Sequence, residues 1–483
     1  MLLRKKTKIV ATIGPVTENE KTMTAMFEAG LNVIRLNFSH GTHAEHQNRM
    51  NLARNYTKKT GKPIAVLQDL CGPKIRTGDF YIERITLKAG QKFIFTTQKI
   101  TGDEKRVSVN YMNLPKEVKK GMFILLDDGK KKFEVIKVSG KEVHCKVIVG
   151  GELKGRRGIN VPGAYLSVSS ITEKDIADLE FGIKNDVDFI ALSFVRRPED
   201  IKALRTILDK KKSKAGIIAK IETPEAVEHI DEIIQLSDGI MVARGDLAIE
   251  VPAEKVPLIQ KMIIKKCNRA GRPVITATQM LESMIKSPVP TRAEVSDIAN
   301  AILDGTDAIM LSEETTLGEY PVEAIQVMSR VALHIENDFL HKQLISERRD
   351  EHSADAQNVT DSVTASAVYI AEDVGARFII AFTNSGFTAR MLCRYKPEQS
   401  IIVLTPNFST FRKLTLSFGC YPVLVSHSKD FARNFSNVLF DARNFLLKNK
   451  LAKKGERIVI TTGVPFGEAV RLAETNLVLV EEL

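Results

Sequence analysis

The feature that most constrains the fold of this 483-residue chain is a repeated alternation of two hydrophobic periods. Short β-rich apolar runs recur, and most are followed by a stretch of helical length. The runs are KIVATIG (8–14), LNVIRLNFS (31–39), PIAVLQDL (63–70), VDFIALSF (187–194), GIIAKIE (216–222), GIMVARG (239–245), PVITATQ (273–279) and DAIMLS (307–312). Strand–helix alternation implies parallel pairing through right-handed crossovers. Eight such units predict a closed (β/α)8 TIM barrel.

One connection is out of scale. From about Lys74 to Pro162 the chain reads ITLKAGQKFIF, KRVSVNY, GMFILLDDGKKKFEVIKV and KEVHCKVIV, alternating strands with Gly and Asp-Gly turns. This is an all-β insertion in a βα loop, at the barrel face where active sites lie. A small domain there serves as a lid that excludes water. After residue 340, HKQLISERRDEHSADAQN reads as a linker. RFIIAFT, SIIVLTP, YPVLVS, ERIVITTG and NLVLVEEL then repeat the alternation as an open α/β sheet. The expected fold class is α/β: a barrel of 1–74 and 162–340, an inserted β-barrel lid of 75–161 and a C-terminal α/β domain of 341–483.

Composition narrows the function. No run approaches the roughly 20 apolar residues of a membrane helix, and the first residues lack the apolar core of a signal peptide, so no membrane partner and a cytoplasmic setting are expected. The five cysteines (Cys71, Cys145, Cys267, Cys393, Cys420) are scattered and form no CxxC pair; neither a disulfide framework nor a zinc site is expected. The formal charge of +11 suits either nucleic acid or small polyanions. The basic residues are spread out, with no aromatic-interleaved stripe, so no nucleic-acid partner is expected.

Alternate residues of a strand share a face. Arg35, Asn37 and Ser39 are expected to project together from the second strand, and Asp69 to end the third. Lys220 and Glu222 share a face of the fifth, Arg244 and Asp246 end the sixth, Thr276 and Thr278 the seventh, and Ser312 and Glu314 the eighth. Cations and carboxylates converging on one mouth are costly to bury unless they meet metal or substrate. Glu222 and Asp246 suit a hard divalent cation, and Lys220 and Arg35 suit a phosphoryl group in transfer. The residues alone thus point to Mg2+-dependent phosphoryl or enolate chemistry.

NVIRLNFSHGTHAEH, QDLCGPKIRTG, IIAKIETPEAV, IMVARGDLAIEVP, TATQMLESM and MLSEETTLGEYPVEA resemble, in order, the signature segments of the pyruvate kinase family, and the resemblance spans essentially the whole chain. It implies phosphoryl transfer from phosphoenolpyruvate to ADP, giving pyruvate and ATP. It further implies that Lys220 faces the phosphoryl group, that Glu222 and Asp246 hold Mg2+ (or Mn2+), and that N–H groups at Gly245 and Asp246 receive the substrate carboxylate. Arg35 and Arg76 bind phosphoryl oxygens, and Thr278 helps deliver a proton to the enol carbon. Asn37, Ser39 and Asp69 match the family's monovalent-cation site, and His40, Lys174, Asn37 and Arg76 lie near the nucleotide. A regulatory C-terminal domain and a homotetramer belong to the same expectation.

The chain departs from the family at three places. Potassium-dependent members carry Thr, Lys and Glu where this chain has Leu70, Cys71 and Lys74. The Lys74 ammonium is expected to stand in for K+, making K+ dispensable. Glu313 falls where a small residue is usual, and both solvent and the nucleotide are open as its destination. Thr383, Asn384, Ser385, Gly386 and Thr388 form a turn similar to an effector phosphate loop. The late loop TTGVPFGEAVRLAETN lacks the Trp and Arg arrangement of fructose 1,6-bisphosphate binders, leaving a monophosphate sugar, AMP or no effector open.

Overall fold

In the computed structural model, which describes residues 5–338, 358–425, 435–463 and 475–483, all eight apolar runs become strands of one closed barrel. They are β1 (Lys8–Thr12), β2 (Val33–Asn37), β3 (Ala65–Asp69), β4 (Phe189–Val195), β5 (Gly216–Ile221), β6 (Gly239–Ala243), β7 (Val274–Ala277) and β8 (Ala308–Leu311). They run in parallel in the order β1-β8-β7-β6-β5-β4-β3-β2.

The period of two decides what each strand presents. Val10, Val33, Leu67, Ala191, Ile218 and Met241 belong to one buried cluster inside the barrel, and their neighbours Ile9, Ile34, Val66, Ile190, Ile217 and Ile240 pack outward against the helices. Two residues further along the inward face, Val33 gives way to Arg35, Leu67 to Asp69, Ala191 to Ser193 and Ile218 to Lys220. The apolar plug therefore ends in a polar layer at the C-terminal mouth. Local signals start the surrounding helices: Thr42, Thr172 and Thr291 each close a capping box with the acidic residue three positions on.

Between β3 and β4 the lid forms a two-stranded ribbon, Arg84–Leu87 with Gly151–Lys154, and a six-stranded sheet. Phe93, Phe95 and Phe133 pack edge to face at its centre. An antiparallel bridge between Arg76 and Gly158 closes the lid's base, and Asn160 Nδ2 donates to Glu250 Oε1 of the barrel at 2.8 Å.

The C-terminal domain holds β9 (Phe378–Phe382), β10 (Ser400–Thr405), β11 (Cys420–Leu424), β12 (Arg457–Thr462) and β13 (Leu477–Glu482) in the order β11-β10-β9-β12-β13. The first four are parallel, and β13 is an antiparallel edge. Leu416 of this domain joins the barrel's interior cluster, a burial worth about 2 kcal/mol. Arg412 meets Asp186 and Asp188, both at 2.5 Å, and Lys396 meets Asp307 at 2.8 Å. The linker read at 341–358 lies outside the described residues apart from Asn358, which caps the helix Val359–Asp373. Most of the late loop, 464–474, also lies outside them.

Candidate active site

Arg35, Asp69, Ser193, Lys220 and Glu222 make one connected network at the barrel mouth, with Thr12 at its edge. Arg35 Nε donates to Asp69 Oδ2 at 2.6 Å and its Nη1 to Thr12 Oγ1 at 2.7 Å. Lys220 Nζ lies 2.9 Å from Glu222 Oε1 and 3.4 Å from Asp69 Oδ1. Lys220 also donates to Ser193 Oγ at 2.7 Å, and Ser193 in turn donates to the Leu70 carbonyl at 2.8 Å. Ser193 is the functional residue that strand-end reasoning missed. It sits in an apolar run, but its inward parity on β4 was a signal that could have found it.

The electrostatics follow from burial. Burial pulls Lys220 toward neutrality, yet the Asp69 and Glu222 carboxylates outweigh it and hold the ammonium above its ordinary value. Burial likewise pushes Asp69 up, and Lys220 and Arg35 bring it below the usual range. Glu222 is different. Burial raises it, the Asp246 charge adds to the rise, and Lys220 opposes both. A buried carboxylate raised by a neighbouring one suits a divalent cation, which offsets both the burial cost and the repulsion at Glu222. Glu222 and Asp246 fit such a cation by that criterion.

Asp246 stands in the first turn of the helix Arg244–Glu250, beyond the end of β6. The Gly245 N–H donates to Thr278 Oγ1 at 2.8 Å. Thr278 has φ +71° and Phe194 φ +54°, left-handed conformations costly for such residues. The strain aims groups at the site: the Phe194 N–H donates to Glu222 Oε2 at 2.7 Å, and Thr278 Oγ1 sits beside the Gly245 amide.

Several strand-end expectations need correction. β2 stops at Asn37, so Ser39 does not continue its face; it lies in a turn where its N–H donates to Asn37 Oδ1 at 3.1 Å. Thr276 is fully buried and bonded to Thr306. Arg244 is committed to Asp297 and to the Ala277 and Thr278 carbonyls. Glu314 is buried and accepts from the Leu281 and Ser312 amides, a supporting role. Glu313 is exposed.

A cleft of about 310 Å³ opens between lid and barrel beside this network, lined in part by Lys74, Arg76, Arg157, Arg196, Asp246 and Glu250. His40, in the turn after β2, is lowered first by burial and then by the charges of Lys74, Arg76 and Arg35, so these cations face one region. Lys74 is exposed. Lys174 reaches back to the Phe38 carbonyl at 2.7 Å and to Asp178 at 2.6 Å. In the C-terminal domain, Thr383 Oγ1 accepts from the Gly386 amide at 3.0 Å and Ser385 Oγ from the Phe387 amide at 3.3 Å, just before the helix Phe387–Cys393. Asn384 offers its carbonyl to Thr410, and Thr388 pairs with Thr475.

A lidded barrel with a Lys–Glu–Asp mouth and a trailing α/β domain has clear counterparts. Residues 4–325 match the family model "Pyruvate kinase, barrel domain", and residues 361–480 match "Pyruvate kinase, alpha/beta domain". The chain belongs to the pyruvate kinase family. It is 45% identical to the pyruvate kinase of Geobacillus stearothermophilus over 99% of its own length and 80% of the relative's. It is 43% identical to that of Clostridium acetobutylicum over 95% and 96%. The crystal structure of a pyruvate kinase from Cryptosporidium parvum superposes with a TM-score of 0.93 at 36% identity, covering 100% of this chain and 97% of the other.

Proposed function

We infer that this chain catalyses the reaction of its family, moving the phosphoryl group of phosphoenolpyruvate to ADP to yield pyruvate and ATP. The observation that carries the reading is the buried Lys220, held charged between Asp69 and Glu222 at the barrel mouth. Lys220 and Arg35 receive the charge that spreads over the phosphoryl oxygens in a loose transfer, and Arg76 meets the same oxygens from the lid hinge. Ser193 holds the Lys220 ammonium in line. Glu222 and Asp246 would hold a divalent cation, Mg2+ or Mn2+, which when bound supplies Lewis-acid stabilisation of the substrate's oxygens. The substrate carboxylate takes the amides at Gly245 and Asp246, displacing Thr278 Oγ1 from the first. Thr278, too weak an acid to act alone, orients the water that protonates the enol carbon.

The lid of 75–161 closes over the barrel of 1–74 and 162–340 and excludes water from the transfer. His40, Lys174, Asn37 and Arg76 border the nucleotide. Lys74 supplies the charge that K+ gives elsewhere in the family, next to Asn37, Ser39 and Asp69. The 341–483 domain is regulatory, with Thr383–Thr388 as its phosphate loop, in a cytoplasmic homotetramer.

The test is pyruvate formation from phosphoenolpyruvate, ADP and Mg2+ with tetramethylammonium as the sole monovalent cation, then with K+. Full activity without K+, and a K+ requirement in Lys74→Glu, are expected. Activity only with K+ would keep the reaction and overturn the role of Lys74. No activity in either buffer would overturn the reaction itself.

A further inference from the structure

Two thiols far from the active site lie in contact. Cys393, the last residue of the helix that follows the Thr383–Thr388 loop, and Cys420, the first of β11, have their Sγ atoms 3.2 Å apart. Both are buried, at 3% and 1% exposure. A disulfide needs about 2.05 Å, so closing the bond asks for little more than 1 Å of movement. The chain's other cysteines, Cys71, Cys145 and Cys267, are likewise free.

Among the described residues, one of the two thiols borders a crevice and the other does not. A crevice of about 10 Å³ at the seam between barrel and C-terminal domain is lined by Cys393, Arg272, Arg390, Arg394 and Asp307, and Cys420 does not reach it. That volume is at the lower limit for one water, so the larger peroxide reaches Cys393 only when the seam loosens. Arg394 is buried and pairs with Asp361 through Nη1, while its Nε has no hydrogen-bond partner. Three guanidiniums around a single small space favour an anionic leaving group there.

We propose that Cys393 and Cys420 form a peroxide-reactive pair, with Cys393 attacked first and Cys420 resolving, and with hydrogen peroxide as the oxidant. Cys393 Sγ attacks one peroxide oxygen and the O–O bond breaks. The departing hydroxide takes the thiol proton and leaves as water, and Cys393 becomes a sulfenic acid. Cys420 Sγ then displaces that hydroxyl, which leaves as a second water with the Cys420 proton, and the S–S bond forms. Two thiols are oxidised and one peroxide is reduced to two waters. Burial raises the Cys393 thiol and Lys396 pulls it down, so the reaction is slower than at an exposed thiolate and belongs to oxidative stress. The product ties the helix behind the phosphate loop to β11, which anchors the domain to the barrel through Lys8 on the Cys420 carbonyl at 2.7 Å.

The test uses the full chain treated with hydrogen peroxide, denatured, alkylated with N-ethylmaleimide and mapped by mass spectrometry. A Cys393–Cys420 peptide pair lighter by two hydrogens is expected. In Cys420→Ser, dimedone should trap a sulfenic acid at Cys393; in Cys393→Ser, Cys420 should stay unmodified by dimedone. Alkylation of both thiols after a dose that has oxidised the half-buried Cys71 would overturn the proposal. So would a dimedone adduct at Cys420 in Cys393→Ser, because it would put the first attack on the wrong sulfur.

Discussion

Replacing Lys220 by Met keeps the length of the side chain and removes its charge. Two consequences follow from the distances. The ammonium lies 2.9 Å from Glu222 and 3.4 Å from Asp69. At an effective dielectric constant of about 20, each contact is an attraction on the order of 5 kcal/mol before desolvation is counted. Without Lys220, one buried carboxylate must take up a proton at neutral pH, which limits the loss of stability to about 4 kcal/mol. A transferring phosphoryl group would feel the same ammonium at a similar range. Losing it should raise the barrier by about 4 kcal/mol, close to a thousandfold in kcat. The assay is initial-rate pyruvate formation on protein whose circular dichroism shows it folded, paired with exchange of the pyruvate methyl protons into D2O followed by NMR. The proton exchange should fall less than tenfold, because it depends on Thr278 and the bound cation. A folded Lys220→Met with kcat within tenfold of the parent would refute the role given to Lys220.

Ser193→Ala removes one hydrogen bond to Lys220 and should lower kcat about tenfold with little change in KM, a cost of about 1.4 kcal/mol; Ser193→Thr should recover part of it. Glu222→Gln separates stability from function. The carboxyl of Glu222 is raised above its ordinary 4.5, so its contribution to ligand-free stability is present below that pH and is lost as pH rises through the folded value. The Gln variant should therefore show a flatter dependence of Tm on pH above about 4.5 in the absence of divalent cation; it should lose activity, and Mg2+ should raise the Tm of the parent but not that of the variant. Arg412→Leu removes one of the two cations on the fully buried Asp188, whose Oδ2 keeps Arg54 at 3.0 Å and the Val66 amide at 2.8 Å while Oδ1 loses its partner. It should cost about 3 kcal/mol in denaturant unfolding, and an added Asp188→Asn should restore part of that in a double-mutant cycle.

The fold was legible because its signal is long and repeated: eight runs of the right length with helical spacers leave few alternatives to a closed barrel. The site was legible where a charged side chain sits on the inward face of a strand. Arg35, Asp69 and Lys220 are where the period of two puts them. It failed where the chain leaves the strand, since parity stops with the ladder. Ser39 lies in a turn with its amide on Asn37, Glu314 is absorbed into the scaffold, and Asp246 is delivered by a helix; Thr276, inside β7, failed on parity instead, because Ile275 and Ala277 hold the inward face. Phe194 and Thr278 act through left-handed backbone that no propensity would have assigned to them. Ser193 was overlooked for another reason. A lone serine in VDFIALSF reads as strand filler unless its inward parity is counted, and its contact with Lys220 gives it a purpose.

What unites these residues is an unfinished balance of charge. Arg35 and Lys220 neutralise Asp69 and Glu222 pair by pair, and Asp246 leaves one carboxylate in excess at the mouth. A divalent cation held by Glu222 and Asp246 would turn that excess negative charge positive where a polyanionic substrate would arrive, with Lys74 and Arg76 lining the cleft beside it. Cation and substrate affinity would then be coupled by the same free energy in both directions, a coupling that titrating each ligand in the presence of the other would measure.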